Sequence, residues 1–81
     1  MNYRVEFHVA ALEQLKGLPS DAFDALVRRA VDLVHEPWDA HVLDPERPDI
    51  RETTFGAYGV LYFRLLEDDA LIWIFSITWA G

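Results

Sequence analysis

Ile50-Arg51-Glu52-Thr53-Thr54-Phe55, Gly56-Ala57, Tyr58-Gly59-Val60-Leu61-Tyr62-Phe63-Arg64-Leu65-Leu66, Glu67-Asp68-Asp69 and Ala70-Leu71-Ile72-Trp73-Ile74-Phe75-Ser76-Ile77-Thr78-Trp79 form one continuous run. Its reading decides the fold. β-Branched and aromatic residues dominate it, and two groups of turn-type residues break it, so it predicts three consecutive antiparallel strands. Leu61, Phe63 and Leu65 oppose Tyr58, Val60 and Tyr62. On strict alternation, Leu71, Trp73, Phe75, Ile77 and Trp79 oppose Ile72 and Ile74. The last two strands are therefore apolar on both faces, and both faces need cover.

Working back from this run, residues 37–49 hold Pro37, Pro45 and Pro48 among aspartates, and read as a loop around a short Val42-Leu43. Before it, Phe23, Leu26, Val27, Ala30, Leu33 and Val34 recur at helical spacing. Ser20 is the expected N-cap of that helix, Asp21 and Asp24 suit its first turn, and Pro37 ends it. A shorter helix is predicted over 8–16, from Ala11, Leu12 and Leu15, with Gly17 and Pro19 stopping it. The short link between the two predicts an antiparallel helix hairpin. Residues 2–7 place Tyr3, Val5 and Phe7 opposite Arg4 and Glu6, an opening strand.

The expected architecture is α+β, in the order β-α-α-β-β-β. A helix hairpin packs on one face of a small, mainly antiparallel sheet of about four strands. Residues 1–81 are expected to form a single domain. Two helices cover one sheet face only, so the other is expected to be a partner or self-association surface, with closure by the 37–49 loop as the alternative.

Fourteen acidic residues against seven basic ones give a formal net charge of −7, spread along the chain. Non-specific nucleic-acid affinity needs clustered Lys and Arg, and none cluster in the sequence. Arg47, Arg51 and Arg64 are the only basic residues of the second half. There is no cysteine, and the opening residues already mix charges rather than forming a leader. The longest apolar run is far short of the ~20 residues of a membrane helix. These features lead to the expectation of a cytoplasmic protein with no membrane contact.

Several short elements then carry a resemblance. Tyr3-Arg4-Val5-Glu6-Phe7, the series Ala11, Leu15, Gly17, Leu18, Pro19, the stop Glu36-Pro37, and Arg51-Glu52, Gly56, Tyr58, Val60, Tyr62 fall in order along nearly the whole chain. Together they resemble the RelE/ParE superfamily of bacterial toxin–antitoxin toxins. The resemblance implies a RelE-like fold and a toxin held by an antitoxin-like protein partner. RelE-like members cleave messenger RNA in the ribosomal A site, and ParE-like members act on DNA gyrase. RNA cleavage of this kind needs cations to stabilise a phosphorane-like transition state and a group to move the 2′-hydroxyl proton. Two positions where the family often carries arginine are Thr54 and Gly59 here, and the chain ends at Trp79-Ala80-Gly81 without a basic or His/Tyr-bearing end.

On this resemblance the first expectation is a toxin component acting as a ribosome-dependent mRNA endoribonuclease, with no metal or cofactor. Its site would use Arg51, with Glu46, Tyr58 and Arg64 assisting. The alternative is a non-catalytic RelE-fold protein that binds a partner or dimerises as a homodimer. Each residue also has a plainer role. Arg51 could pair with a neighbouring acid, Glu46 could be a solvated loop residue, and Tyr58 and Tyr62 could pack with a hydroxyl hydrogen bond. His35 and His41 near Glu36 and Asp39 match no ligand spacing. Ser76 and Thr78 have no histidine at triad spacing. Trp73 and Trp79, expected on one strand face, could stack bases or pack against a partner.

Overall fold

In the structure, a computed structural model describing residues 3–81, five strands form one sheet in the order β1-β5-β4-β3-β2. The elements are β1 (Arg4–Phe7), α1 (Val9–Lys16), α2 (Ser20–His35), β2 (His41–Val42), β3 (Ile50–Phe55), β4 (Gly59–Leu66) and β5 (Leu71–Trp79). Short 3₁₀ turns lie at Pro37–Asp39 and Glu67–Asp69. The expected α+β architecture holds, with a fifth strand added. That strand is the two-residue β2, which the proline-rich loop contributes by pairing His41 with Glu52 and Val42 with Arg51. β1 lies parallel to β5, and the other pairs are antiparallel. Asn2, included in the expected first strand, lies outside the described residues.

The core sits between the helices and one sheet face. Leu61, Phe63 and Leu65 of β4 meet Ile72, Ile74 and Ile77 of β5, and Ala11, Leu26 and Leu33 come down from the helices. Burial of such side chains contributes roughly 1.5–3 kcal/mol each. The pairing of β4 with β5 slips by one residue between Tyr62 and Phe63, because Tyr62 faces Ser76 while Phe63 faces Ile74. Phe75 is the extra residue of this bulge. The slip reverses the alternation of β5. Ile77 and Trp79 turn to the helix side, while Trp73 stays on the open side. Trp73 and Trp79 are thus on opposite faces, contrary to the expectation from simple alternation.

α2 differs from its expected phase. Leu26 and Leu33 are buried, with Ala22, Ala25 and Arg29 half-buried beside them, while Phe23 and Val27 point outward, 40% and 44% exposed. The small side chains face the sheet because α2 approaches the β3–β4 turn closely. A Cβ on Gly56, whose φ is +59°, would lie 3.3 Å from the Cβ of Ala25. The N-cap of α2 is Pro19, without a side-chain cap, and Ser20 is already the first helical residue. At α1 the cap is His8, whose Nδ1 accepts from the Ala10 N–H at 3.1 Å. Gln14 of α1 reaches the sheet, its Oε1 accepting the Ile77 N–H at 2.7 Å. Among the described residues no helix is long and apolar enough to cross a membrane.

Candidate functional site

The face of the sheet away from the helices carries the side chains that could meet a ligand. Strand registry sets its rows. Glu6, Trp73 and Arg64 share one row, Tyr62 and Glu52 lie in the next, and Val60 with Thr54 in a third. An aromatic chain runs across it. His8 meets Trp73 edge-on at 5.3 Å between ring centroids, Trp73 lies 6.2 Å from Phe75, and Phe75 lies 6.4 Å from Tyr62. These spacings suit favourable aromatic pairs. The rings shield one another, and Tyr62, Trp73 and Phe75 are half-buried. The large exposed apolar side chains of the described residues lie elsewhere: on the helices at Val9, Leu12, Phe23, Val27 and Val31, and around loops and strand ends at Trp38, Leu43, Tyr58 and Trp79.

Arg64 stands at one end of the open face. Its Nε donates to Asp49 Oδ2 at 2.9 Å. Arg47 meets the same carboxylate through Nε at 3.2 Å and Nη2 at 3.1 Å. Hydrogen bonds from Arg47, the larger effect, and from Arg64 together lower the Asp49 carboxyl to about 2, against the opposing effect of burial. Asp49, placed where the loop enters β3, was not singled out from sequence. Its signal was weak: one aspartate in an acidic loop, meaningful only once Arg47 and Arg64 are seen to converge on it.

Arg51 faces the other way. It is only 9% exposed. Its Nε donates to the Pro48 carbonyl at 2.8 Å, and Nη1 to the Trp38 and Ala40 carbonyls at 2.7 and 3.0 Å. The guanidinium carbon lies 5.0 Å from the centroid of the Trp38 ring, within cation–π range. This arrangement fastens the Pro37–Asp39 turn and the start of the following loop to β3. Arg51 pairs with Phe63 and Arg64 with Ile50, so the two arginines occupy adjacent rows on opposite faces.

The other two expected site residues lie apart from them. Glu46 is exposed in the loop, where its backbone N–H donates to Asp44 Oδ1 at 3.0 Å. Tyr58 is 64% exposed in the β3–β4 turn. Six residues along β4 separate it from Arg64, roughly 20 Å at strand rise. The structure therefore does not bring Arg51, Glu46, Tyr58 and Arg64 together. Tyr58 instead borders an apolar hollow of about 340 Å³, with Phe55, Trp79, Ala22, Ala25 and Gly56 among its lining residues. Gly59, where the resembling family has arginine, has no room for a side chain. A Cβ there would fall 2.3 Å from the ring of Phe55. Thr54 lines two open hollows, one with His41, Glu52, Thr53 and Val60 and one with Arg28, Arg29 and Asp32 of α2. His35 and His41 are exposed, and no group of three or more His, Cys, Asp or Glu among the described residues is arranged to hold a metal ion.

No family model and no curated protein sequence matches the chain. Solved structures do. The RelBE2 toxin–antitoxin complex from Mycobacterium tuberculosis contains a chain that superposes with a TM-score of 0.86 at 23% identity, covering 99% of this chain and 100% of that one. The isolated E. coli RelE toxin gives 0.84 at 17% identity, covering 98% of this chain and 85% of that one. A chain of the archaeal RelE–RelB complex from Pyrococcus horikoshii gives 0.68 at 19%, covering 100% and 98%. The helices, the mixed five-stranded sheet and the end-to-end superposition give one conclusion: this chain has the RelE fold.

Proposed function

We propose that the chain is the toxin-type subunit of a toxin–antitoxin pair, and that it works through protein–protein contact with an antitoxin-like partner. The observation that carries this reading is the end-to-end likeness to RelE chains solved in complex with their antitoxins. The apolar side chains left exposed on α1 and α2 support it, since a small domain gains by covering them.

Protein contact is favoured over charge-stabilised RNA cleavage as the mode of action. Cleavage needs several cations converging on one phosphate. Arg51 gives its donors to backbone carbonyls on the helix side, and Arg64, the one arginine of β4, is held by the Asp49 carboxylate that it shares with Arg47. The non-catalytic alternative, a binding module, draws on the same observation.

Induction of the chain alone in bacteria, with soluble expression verified, tests the reading. The expected result is growth arrest, relieved by co-expressing the protein encoded beside it, and retained in Arg64→Ala. Arrest lost in a folded Arg64→Ala variant would favour RNA cleavage at the open face. Normal growth together with no co-purifying partner would overturn the toxin reading.

A further inference from the structure

The row that crosses the middle of the open face is His41, Glu52, Tyr62 and Ser76, in register on four neighbouring strands. Its one carboxylate has no cation. Glu52 is half-buried and makes no ion pair among the described residues, not even with His41 directly opposite. The other charges of the face are engaged. Arg4 meets Glu6 at 3.0 Å, and Arg64 and Arg47 share Asp49. Asp49 draws Arg64 toward the loop, and no arginine or lysine of the described residues lies over Tyr62, Phe75 or Trp73. The cation–π contact among those residues is Arg51 on Trp38. Beside Glu52, the Tyr62 and Phe75 rings stand 6.4 Å apart at a tilt of 37°, and Trp73 continues the patch 6.2 Å from Phe75. Uncovered ring faces next to a free carboxylate have a specific complement: a planar cation that stacks on the ring and forks onto the acid.

We infer that the open face takes an arginine side chain from a segment of a partner protein, with its guanidinium on the Tyr62 and Phe75 rings and its donors on Glu52. This rests on the partner reading above for the occupant being a protein, and adds the chemistry by which the partner is recognised. Charge selects against the other occupants of such a face. A single nucleic-acid strand has bases for the rings, but it brings phosphates to Glu52 on a chain of net charge −7. A second copy brings another −7 and a face whose own arginines are already engaged. Lysine supplies the charge without the plane that stacks and forks. Within this molecule Arg51 shows the same combination, with its guanidinium 5.0 Å from the Trp38 centroid while its nitrogens donate to carbonyls.

Calorimetric titration of the whole chain with a seven-residue peptide, blocked at both ends and carrying arginine at positions 2, 4 and 6, tests this. Circular dichroism verifies the fold of each variant. Wild type should bind saturably below about 1 mM. Glu52→Gln, which breaks no ion pair of the fold, should weaken binding about fivefold. Tyr62→Leu should weaken it about threefold by removing the ring face. The same peptide with lysine for arginine should bind about threefold less tightly. Glu13→Gln removes an equal charge from α1 and should change little in physiological salt. Absence of saturable binding overturns the inference. So does a folded Glu52→Gln variant that binds as wild type does, or one weakened no more than Glu13→Gln. Equal binding of the lysine peptide removes the stacked guanidinium, and tighter binding of a uridine oligonucleotide reassigns the face to nucleic acid; either result overturns it. Growth arrest and its relief by the neighbouring protein are read separately, so failed peptide binding with arrest and relief intact overturns this inference and leaves the partner reading standing.

Discussion

Arg64 and Asp49 meet at 2.9 Å, and this contact fixes the end of the proline-rich loop to the edge of the open sheet face. The backbone reinforces it, because the Leu65 N–H donates to the Asp49 carbonyl at 2.7 Å. One residue thus joins the loop to β4 through both its side chain and its main chain, and Arg47 closes on the same carboxylate from within the loop.

The acid limb of stability should report this cluster. The Asp49 carboxyl titrates near 2 in the folded chain against 3.8 ordinarily. A depressed folded value means stabilisation that is present above about pH 4 and is lost as the pH falls toward 2. The melting temperature of wild type should therefore drop more steeply over that window than that of Asp49→Asn. Parallel profiles for the two proteins would show that the cluster contributes nothing to folding. Because Asp49 is partly solvated, the difference should also shrink in high salt.

Arg51 should matter to stability more than its charge suggests. Its removal leaves the Trp38, Ala40 and Pro48 carbonyls without this donor. Hydrogen bonds from charged groups contribute about 1.5–3 kcal/mol each in isolated tests, and are not additive. Arg51→Ala should cost about 2–4 kcal/mol by the same reasoning, a fall in melting temperature of about 10 °C or more for a domain of this size. Arg51→Lys should recover little, since one ammonium cannot reproduce the fork that serves separated carbonyls. Urea unfolding of the three proteins would settle the order. A variant as stable as wild type would remove the structural role assigned here and return Arg51 to consideration as a site residue.

How much of this could be read in advance depends on the kind of signal. The strand run from Ile50 to Trp79, the helix stops at Gly17 and Pro37, and the opening alternation are local patterns, and they gave the element order. Three features depend on contacts between distant residues and left no local mark. The bulge at Phe75 reverses the facing of Trp79, and only pairing with β4 reveals it. The phase of α2 is set by Ala25 approaching Gly56, so hydrophobicity pointed to Phe23 and Val27 while size chose Ala22 and Ala25. Arg51 reads as a surface cation until the carbonyls of the preceding loop are seen to fold back onto it. The candidate site was less legible than the fold for the same reason. Arg64 was singled out, but its partner Asp49 was not, and the two arginines expected to cooperate lie on opposite faces.

Gly59 is a case where the neighbour, not the backbone, imposes glycine. The ring of Phe55, itself 3% exposed, occupies the space a Cβ would need. Gly59→Ala should force that ring out of its place and cost about 1–3 kcal/mol through overpacking. Gly59→Arg should cost at least as much, so an arginine introduced there would not act as a simple added cation. Phe55→Leu should partly rescue Gly59→Ala, which a double-mutant cycle in urea measures as a coupling term. Additive effects would show that the ring is not the obstacle.

The last contact with a clear consequence joins Gln14 to Ile77. β1 pairs with β5 only over Leu71–Ile74, so beyond that point the edge of β5 needs another partner on this side. Gln14 supplies one, with its Oε1 2.7 Å from the Ile77 nitrogen, and so ties α1 to the strand past the bulge. Gln14→Leu keeps most of the side-chain volume but leaves that N–H unpaired beside a side chain only 4% exposed. The cost should be about 1–3 kcal/mol, the range for a buried donor left unsatisfied. Amide exchange reads it locally. The Ile77 amide should exchange markedly faster in Gln14→Leu, while the amides of Leu61 and Phe63 in the middle of β4 slow or speed only with global stability. If Ile77 exchanges no faster than those reference amides, α1 is held by its apolar contacts alone, and the glutamine bond is incidental to the position of the helix.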